Sequence, residues 1–532
     1  MSICTFHLLT DKVSAGRGAT SKVIETRLSA KPMGRDQRQA NSRRAQLRRG
    51  GSNARFGRAH VLPTSVRLHT LFEPHLATCC ALRQRADACS ASVRMCRLDS
   101  SLRGQESAMQ ALTSALESSF PRIAPDLLEI YRDVHAHPEL SMQEHRTAGI
   151  AADYLDELGY RVARGIGVTG VVGVLQNGEG PTVMLRADMD ALPMAEDTGL
   201  PYASTANATD SAGRSVSVAH ACGHDLHVAW LLGAARVLAE SRAAWRGTVL
   251  VVFQPGEETV EGASAMVADW AKARLPRADV VLGQHVMVGA AGTVSYRPGV
   301  ILSAADSLEV KLFGRGSHGS QPQTAIDPVV MAAATVMRLQ TIVSREIAPL
   351  DSAVLTIGAL QAGSKENIIP DDATLKLNLR TYDERVRARM LQAVKRICCA
   401  ESDASNAPRP PTFTTLSTYP LTDNDSAATQ RVADTFRAQF GAAAQESPPM
   451  AASEDFSVFG RSWNVPYVFW FVGGTDPRIH AQAKAEGTLH TLPSNHSPRF
   501  APVLDPTLKV GLQAMLCAAS AWLCTETRGR SA

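Results

Sequence analysis

The sequence His220-Ala-Cys-Gly-His-Asp225 stands immediately before a stretch whose apolar residues recur at helical spacing. Cys222 and His224 are two positions apart, so they do not share a helix face and can approach one ion only from an extended or loop backbone. Asp225 is expected to cap a helix over 226–240. The dipole at a helix N-terminus favours the thiolate form of cysteine, which is the form that binds metal. A small buried thiol beside a hydrogen-bonded histidine is the alternative interpretation.

On both sides of this stretch, apolar strand-like runs alternate with helical patterns. The strand-like runs cover 170–175, 182–186, 248–253, 279–283 and 465–472, and the helical patterns cover 111–134, 145–158, 226–240, 262–273 and 426–440. Continuous apolar runs separated by helices are typical of parallel strands buried on both faces. We therefore expect an α/β fold with a largely parallel sheet. Pro121 is expected to break the first helix, and Asp505-Pro506 to open the last one.

A different pattern begins near residue 302 and predicts an inserted domain. The stretches 307–313 and 375–380 alternate between apolar and polar residues, as strands with one solvated face do. Helical patterns at 327–345 and 383–399 and a strand-like run at 352–361 complete a separate α+β unit. The Pro-rich stretch 408–411 is expected to be the linker that returns to the larger domain. The predicted divisions are 1–108, an N-terminal extension; 109–301 and 416–532, the two parts of a catalytic domain; and 302–415, the inserted domain.

The first 108 residues differ from the rest in composition. They are rich in Arg and Ser, poor in acidic residues, and without a sustained helical or alternating apolar pattern. Three interpretations remain open: a disordered basic arm, an organellar transit peptide, or a start codon placed too far upstream. We favour the third because helix-like sequence follows Met109 at once, and we expect a cytoplasmic protein.

Composition restricts the function further. A chain of 532 residues suggests about two to four domains. Its formal net charge of +4 is small for this length and does not point to nucleic acid. No apolar run approaches the roughly 20 residues of a membrane span. The ten cysteines are unevenly spread, unlike those of a secreted disulfide scaffold, which favours a reducing compartment. We therefore expect neither a nucleic-acid nor a membrane partner.

Polar residues follow three of the predicted strands at their carboxyl ends. Asp188 follows the second strand, Glu257 and Glu258 follow the third, and His285 follows the fourth. In open parallel sheets, ligands bind outside the carboxyl ends of the strands. Each residue alone is better explained as a surface carboxylate or a hydrogen-bonded histidine. Their joint placement predicts that they converge near Cys222 and His224.

The adjacent residues Glu257 and Glu258 point to different sides of an extended backbone. One can therefore ligate a metal ion while the other serves as general base for a water that the metal activates. Thiolate, imidazole and carboxylate ligands together suit zinc or another first-row divalent ion. A structural zinc site would use more cysteines and no spare glutamate, so the mixed set favours catalysis.

Further candidates lie in loops. His496, in Asn495-His-Ser-Pro498, is placed to close the site, whereas His318, in Gly314-Arg-Gly-Ser-His-Gly319, reaches it only if the two domains face each other. Asn367 and Arg380 are further polar candidates, with a turn and a solvated strand residue as their alternatives. His135 and His137 precede Pro138 and are expected to form a polar turn rather than a ligand pair.

Eight motifs carry a family resemblance. They are Arg186-Ala-Asp-Met-Asp-Ala-Leu-Pro193, His220-Ala-Cys-Gly-His-Asp225, Phe253-Gln-Pro-Gly-Glu-Glu258, Gly283-Gln-His285, Ser317-His318, Asn367-Ile-Ile-Pro370, Ser453-Glu-Asp-Phe456 and Asn495-His-Ser-Pro498. In this order they resemble the metal-dependent amidohydrolases that include hippurate hydrolases, auxin–amino-acid conjugate hydrolases and related aminoacylase and carboxypeptidase-type metallopeptidases. The resemblance covers about 120–520 and leaves out the N-terminal extension.

The resemblance implies a zinc-exopeptidase-like, mainly parallel sheet with helices on both faces and an inserted, ferredoxin-like lid or dimerisation domain. It implies two divalent ions per subunit, zinc or manganese, with nickel or cobalt as alternatives. The implied metal ligands are Cys222, His224, Glu258, His285 and His496. Glu257 would be the general base, and Asp188 would orient a ligand from behind. His318, Asn367 and Arg380 would bind the scissile carbonyl or the substrate carboxylate. One alternative is that they do so across a dimer interface.

The activity implied by the resemblance is hydrolysis of the amide bond of N-acyl amino acids, such as hippurate-like conjugates, to an amino acid and a carboxylic acid. A dipeptidase or carboxypeptidase of the same family is the alternative. The expected partners are that small substrate and a second copy of the chain, bound through the inserted domain. In related enzymes of the wider clan a histidine stands where Arg186 does, and His224 is expected to compensate for it.

Overall fold

The computed structural model describes residues 109–523, and the predicted extension 1–108 lies outside that range. The part before the inserted sheet contains, in chain order, α1 (109–136), α2 (His145–Glu157), β1 (Arg161–Ile166), β2 (Gly170–Asn177), β3 (Thr182–Asp188), β4 (Asn207–Thr209), β5 (Ser215–Ser217), α3 (His224–Glu240), β6 (Gly247–Gln254), α4 (Gly262–Trp270), β7 (Val280–Ala290), β8 (Val294–Tyr296) and β9 (Gly299–Leu302). None of the helices described is long and apolar enough to cross a bilayer.

Two further groups of elements follow along the chain. The inserted group is β10 (Ala304–Phe313), β11 (Ser317–His318), α5 (Pro328–Thr341), β12 (Ala353–Ala362), β13 (Ile368–Ile369), β14 (Asp372–Thr381), α6 (Glu384–Ala404) and β15 (Thr412–Tyr419). The final group is β16 (Thr422–Asn424), α7 (Ser426–Phe440), β17 (Ala444–Glu446), α8 (Ser457–Trp463), β18 (Tyr467–Thr475), α9 (Pro477–Glu486) and α10 (Leu504–Ser520).

The larger sheet has eight strands in the order β1-β2-β6-β3-β7-β18-β8-β17. Its four central strands, β6, β3, β7 and β18, run parallel to one another, whereas β1 and β2 join antiparallel at one side. Alternate residues face opposite sides of a strand, so Val183 and Leu185 pack with α1, α3 and α10 while Met184 packs with α4 and α8. The predicted α/β sheet with helices on both faces is confirmed.

The inserted sheet has the order β12-β14-β10-β15, and each of its pairings is antiparallel. Its element order, strand–helix–strand–strand–helix–strand, is the ferredoxin-like arrangement. Leu308, Val310 and Leu312 of β10 are buried under α5 and α6, as the alternating pattern predicts. The expected α+β insertion is therefore present, and it includes β15.

Two predictions about proline were wrong. Pro121 does not break α1, because Leu112 and Leu116 before it and Ile123 and Leu127 after it are buried on one core face. Their burial outweighs the single hydrogen bond that proline removes.

The Pro-rich stretch 408–411 is not the return linker. It leads into β15, which pairs with β10 from Lys311↔Thr412 to Ala305↔Tyr419, so the predicted boundary at residue 415 falls inside a strand. Threonine and aromatic residues favour the strand, and proline is tolerated before its first residue. The chain leaves the inserted sheet after Tyr419.

Candidate metal centre

The carboxyl ends of β3 and β6, the middle of β7, the start of α3 and the loop before α10 meet at one edge of the large sheet. Donor atoms there lie within 4.8 Å of one another in overlapping groups: Asp188, His224, His227 and His285; Cys222, Glu258 and His496; and His224, Glu257 and Glu258. The structure therefore brings together every residue that the sequence predicted as a metal ligand or base. His285 lies within β7 rather than after it, because that strand continues to Ala290.

The turn that carries Cys222 differs in one detail from the prediction. Helix α3 begins at His224 after Gly223, so Asp225 lies in the first turn and is not the capping residue. Gly223 has a φ of +91°, and a Cβ there would stand 2.4 Å from Val286 Cγ1. Only glycine allows this turn to press against β7. The tight turn places Cys222 next to the histidine of that strand.

Cys222 and His285 face each other inside the protein. The Cys222 Sγ atom lies 3.4 Å from His285 Nε2, and His285 Nδ1 lies 2.8 Å from the carbonyl oxygen of Val286. Because a carbonyl only accepts, Nδ1 carries the hydrogen and Nε2 keeps its lone pair. Burial and the neighbouring His227 hold the pKa of His285 well below its usual range. His285 is therefore the neutral imidazole that a metal ion requires.

His224 is oriented by Asp190. Its Nδ1 atom lies 2.9 Å from the Asp190 carbonyl oxygen and 3.2 Å from Asp190 Oδ1. The other ring nitrogen, Nε2, is buried 3.6 Å from Asp188 Oδ2 and has no hydrogen-bond partner among the residues described. Burial opposes a positive charge here, but Asp188 and Cys222 raise the pKa of His224 well above its usual range. Nε2 therefore faces a position that attracts a cation.

Glu258 and His496 approach each other from different loops. Glu258 Oε1 is buried and lies 3.1 Å from His496 Nε2, without the geometry of a hydrogen bond. His496 has a φ of +67°, which is unusual for a residue with a side chain. The backbone N–H of His496 donates to the carbonyl oxygen of Ala221, and Asn495 Nδ2 donates to the carbonyl oxygens of Cys222 and Val286. These bonds hold the strained loop against the cluster.

The donor set fits divalent metal ions. It combines one thiol, three imidazoles and a carboxylate, which is the ligand chemistry of zinc and similar first-row ions. Two of its atoms, His224 Nε2 and Glu258 Oε1, are buried without partners, and unpaired buried polar atoms are costly unless an ion or water satisfies them. The residues present therefore fit a metal centre.

His227 lies in the cluster but has no free ring nitrogen. Its Nδ1 atom donates to Asp188 Oδ1 at 2.5 Å, and its Nε2 atom accepts from the backbone N–H of Val286 at 2.9 Å. His227 therefore holds Asp188 and β7 in place and does not ligate. Sequence analysis missed this residue, although His224 and His227 stand three positions apart on one helix face.

Glu257 lies next to a buried network of charged side chains. Its carboxylate lies within 4.8 Å of Glu454 and Asp455. Arg186 neutralises part of this network, with its Nη2 atom 2.8 Å from Glu454 Oε1. Burial and the negative charges of Glu454 and Glu258 raise the pKa of Glu257 well above its usual range. A carboxyl group with a raised pKa is suited to hold and release a proton near neutral pH.

Arg186 cannot substitute for a histidine ligand, because a guanidinium has no lone pair to offer. Its Nε atom donates to Gln254 Oε1 and its Nη1 atom to Asp188 Oδ2. Arg186 therefore holds the carboxyl ends of β6 and β3 in place. Glu454 and Asp455 belong to the motif Ser453-Glu-Asp-Phe456, but their role was not predicted from the sequence. The same is true of Asp190, which belongs to the motif at 186–193.

The predicted substrate-binding residues make their hydrogen bonds outside this cluster within the described part of the chain. His318 and Asn367 are exposed neighbours on β11 and before β13, and His318 Nδ1 lies 2.7 Å from Ser320 Oγ. Arg380, on β14, donates to the carbonyl oxygen of Ala451 at 2.6 Å. Within residues 109–523, none of His318, Asn367 and Arg380 hydrogen-bonds to a candidate metal ligand. Their roles remain predictions.

A mixed cluster of thiol, imidazole and carboxylate donors at the carboxyl edge of a mainly parallel sheet, with a buried glutamate beside it, defines a metal-dependent hydrolase. The family model described as Peptidase family M20/M25/M40 matches residues 184–487. The chain belongs to this family. The predicted resemblance, the hydrolase class and metal dependence are confirmed by this membership, and the identity of the ion stays a prediction.

Individual relatives agree with this assignment. Hippurate hydrolase from Campylobacter jejuni is 37% identical over 345 residues, which cover 64% of this chain and 86% of the relative. Thermostable carboxypeptidase 1 from Saccharolobus solfataricus is 32% identical over 408 residues, which cover 76% of this chain and 97% of the relative. The crystal structure of the Bacillus subtilis YXEP protein, described as a dinuclear metal binding peptidase from the M20 family, matches with a TM-score of 0.59 and 26% identity over 75% of this chain and 99% of its own.

Proposed function

We propose that the protein hydrolyses the amide bond of N-acyl amino acids, of the hippurate kind, to a carboxylic acid and an amino acid. The observation that carries this proposal is the position of Glu257, a buried carboxyl group within 4.8 Å of His224 and Glu258 in the metal-type cluster. A proton carrier beside such a cluster is the arrangement that amide hydrolysis by water requires. The similarity to a hippurate hydrolase supports the substrate class.

Each residue of the site has a task in this proposal. Cys222, His224, Glu258, His285 and His496 would hold two divalent ions, zinc or manganese, with nickel or cobalt as alternatives. When bound, the ions supply Lewis acidity to the amide carbonyl and make water more acidic. Glu257 accepts the proton of the attacking water at its carboxylate and passes it to the nitrogen of the departing amino acid. Its raised pKa allows it to keep that proton between the two transfers.

The inserted sheet supports a proposal that the protein is a homodimer. Helix α5 exposes Val330 and Met337, which are 65% and 72% accessible, and the outer strand β12 exposes Val354 and Leu360. The unpaired edge of β12 and the neighbouring apolar side chains suit a symmetric contact between two copies. Such a contact would bury apolar surface that a lone protomer leaves in water.

His318, Asn367 and Arg380 are proposed to bind the scissile carbonyl or the substrate carboxylate. Within residues 109–523 of one chain, neither His318 nor Asn367 hydrogen-bonds to the cluster, so we propose that His318 acts across the dimer. His318 is exposed, and β11, on which it lies, pairs with β13 at the surface of the inserted part. A cationic or hydrogen-bonding group brought to the carbonyl oxygen would stabilise the negative charge that develops there.

A peptidase is the second candidate, because the carboxypeptidase from S. solfataricus matches over nearly its whole length. The two functions differ in whether the substrate carries a free α-amino group. Purified protein loaded with Mn²⁺ or Zn²⁺ should release amino acids from a panel of N-acyl amino acids faster than from unblocked dipeptides. The reverse order would favour the peptidase, and no turnover of either panel would contradict both.

We also propose that the protein works in the cytoplasm. Cys222, Cys398, Cys399 and Cys517 are all free thiols in the structure, which suits a reducing compartment. A redox-sensitive thiol in the metal site would be protected there.

A further inference from the structure

Residues 135–144, His135-Ala-His-Pro-Glu-Leu-Ser-Met-Gln-Glu144, comprise the end of α1 and the loop that leads from it to α2. We call this segment the 135–144 strap. The sequence predicted only a polar turn here, and the proposed reaction uses none of its residues. In the structure the strap contacts Asp190 after β3, the turn that precedes Glu257 and Glu258, and the first turn of α3 after His224.

The first contact is made by Ser141. Its hydroxyl group donates to Asp190 Oδ2 at 2.7 Å, and the same oxygen accepts from the backbone N–H of Glu258 at 2.9 Å. The other side of Asp190 faces His224 Nδ1. One hydroxyl group therefore supports a carboxylate that orients one candidate ligand and fixes the backbone of another.

The second contact is made by Glu144, which is completely buried. Its Oε1 atom accepts from the backbone N–H groups of Met142 and Gly256, both at 2.8 Å, and its Oε2 atom accepts from the hydroxyl of Thr169. Gly256 immediately precedes the candidate base Glu257. The strap therefore fixes the turn that aims both glutamates.

The side chain of Met142 packs closely against Gly256 at this point. Gly256 has a φ of +55°, and a Cβ on it would stand 2.5 Å from Met142 Sδ. Met142 itself has a φ of +63°. The strained conformation of Met142 is retained where it lets Glu144 reach the Gly256 amide.

The third contact is made by His135, which is buried. Its Nδ1 atom lies 2.7 Å from Asp225 Oδ2 and its Nε2 atom 3.0 Å from Glu196 Oε1. Asp225 follows His224 in the first turn of α3. The residue after Glu196, Asp197, donates its N–H to the carbonyl oxygen of Pro498, in the loop of His496. His135 therefore connects the His224 turn to the His496 loop.

We propose that the 135–144 strap is a positioning element of the metal centre, in which Ser141, Glu144 and His135 hold Asp190, the turn before Glu257 and the first turn of α3 in the geometry that binds metal. The strap proposal shares one assumption with the proposed function, namely that the cluster binds divalent ions. Groups that orient metal ligands from behind typically change metal affinity or activity about 10–100-fold when they are removed. A purely structural connection would instead change the stability of the fold and leave the coordination unaltered.

The test is Ser141→Ala compared with Ser141→Thr in the full-length protein, with Co²⁺ as the probe. We expect Ser141→Ala to lower Co²⁺ affinity about tenfold or more and to alter the visible absorption of the Co²⁺-loaded protein, which reports thiolate ligation and coordination number. Ser141→Thr keeps the hydroxyl group and should restore both. His137→Gln is the matched control, because His137 lies on the same strap but is exposed, and its side chain bonds only to Asp133 among residues 109–523.

A second pair of variants tests the other end of the strap. Glu144→Gln can still accept from Met142 and Gly256 and donate to Thr169, so it should keep near-normal Co²⁺ affinity, whereas Glu144→Ala should lower it. Wild-type affinity and an unchanged Co²⁺ spectrum in Ser141→Ala would overturn the proposal. So would a Glu144→Ala protein that binds Co²⁺ as tightly as Glu144→Gln does.

The strap proposal and the proposed reaction fail under different outcomes. Wild-type protein that binds Co²⁺ but cleaves no N-acyl amino acid would contradict the proposed reaction and leave the strap proposal supported by the variants. Wild-type protein that binds no divalent ion would overturn both. The metal-free variants are compared by thermal unfolding, and a loss of stability with normal Co²⁺ binding would assign the strap a structural role alone.

Discussion

Arg186 Nη1 lies 2.7 Å from Asp188 Oδ2, and both side chains are completely buried. The same guanidinium also bonds Glu454, and Asp188 bonds His227 on its other oxygen. The buried Arg186 cation thus compensates several buried carboxylates beside the metal cluster. A buried ion pair contributes little net stability compared with apolar packing, but breaking one leaves an uncompensated charge.

Arg186→Met should therefore destabilise the protein by about 3–5 kcal/mol, because Asp188, Glu454 and Asp455 would remain buried without their partner. Urea denaturation of the metal-free protein measures this change as a loss of unfolding free energy. The control is Arg164→Met, whose ion pairs with Asp153 and Asp156 are exposed and should contribute about 0–1 kcal/mol. Equal effects of the two substitutions would contradict the assigned importance of the buried network.

Glu257→Gln tests the general base. Glutamine cannot carry the proton from water to the leaving nitrogen, so kcat should fall about 10²–10⁴-fold while the metal content stays at the wild-type level. Steady-state kinetics and metal analysis on the same preparation check both parts. Glu261→Gln is the control in the same loop, because Glu261 is exposed and, in the described part of the chain, its carboxylate hydrogen-bonds only with Thr259. A Glu257→Gln protein with normal kcat would remove Glu257 from the mechanism.

Cys222→Ser tests the thiol as a ligand. The Cys222 Sγ atom faces His285 at 3.4 Å, and a serine hydroxyl is a much weaker donor to a first-row ion than a thiolate. We expect the metal content after dialysis to fall first and the activity with it, and excess metal to restore part of the activity. Cys399→Ser, in α6 of the inserted part, should leave the metal content unchanged. Unaltered metal content in Cys222→Ser would count against the whole ligand set.

The His135 interactions predict a pH-dependent stability. Burial alone would lower the pKa of His135, but Asp225 and Glu196 raise it from 6.5 to about 10. Because the folded-state pKa is the higher one, the stabilisation by His135 is fully present below about pH 6.5 and is lost as the pH rises through about 10. Each hydrogen bond to a charged group contributes about 1.5–3 kcal/mol.

The measurement is the unfolding free energy of wild type and His135→Gln across this pH range. The difference between them should be largest at the acidic end and should shrink towards the alkaline end. His137→Gln, which is exposed, should follow the wild-type curve throughout. A His135→Gln difference that is constant with pH would show that the ring is neutral in the folded protein.

The sequence predicted those site residues whose position depends on the local backbone. Cys222, His224, Glu257 and Glu258 follow a strand end or stand at a helix start, where the backbone itself sets their direction, and His285 lies beside them within β7. Asp190 could not be assigned, because its contacts with Ser141 and His224 appear only when three separate segments pack together. The same holds for Glu454, which lies 268 positions from Arg186 along the chain.

His135 shows how a local pattern can hide a function. The proline that follows His137 predicted a polar turn that includes His135, but His135 is buried in the last turn of α1, and the helix ends only after residue 136. The partners of His135 lie 61 and 90 positions away, and no spacing rule connects them. Pro121 shows a related error, because its local preference was overridden by burial of apolar residues on both sides of it.

The proposed action of His318 across a dimer has a decisive test in mixed dimers. His318→Ala and Glu257→Gln should each be nearly inactive alone. Co-expressed in equal amounts, they should regain about a quarter of wild-type activity, because half of the dimers are mixed and one of their two sites then combines an intact Glu257 with an intact His318. If His318 acts within its own chain, no mixed dimer contains a complete site and no activity returns. Met337→Glu, which places a charge on the exposed apolar face of α5, should abolish both dimerisation in sedimentation experiments and this recovery. Ile479→Glu, at an exposed apolar position of α9 outside the inserted sheet, should abolish neither.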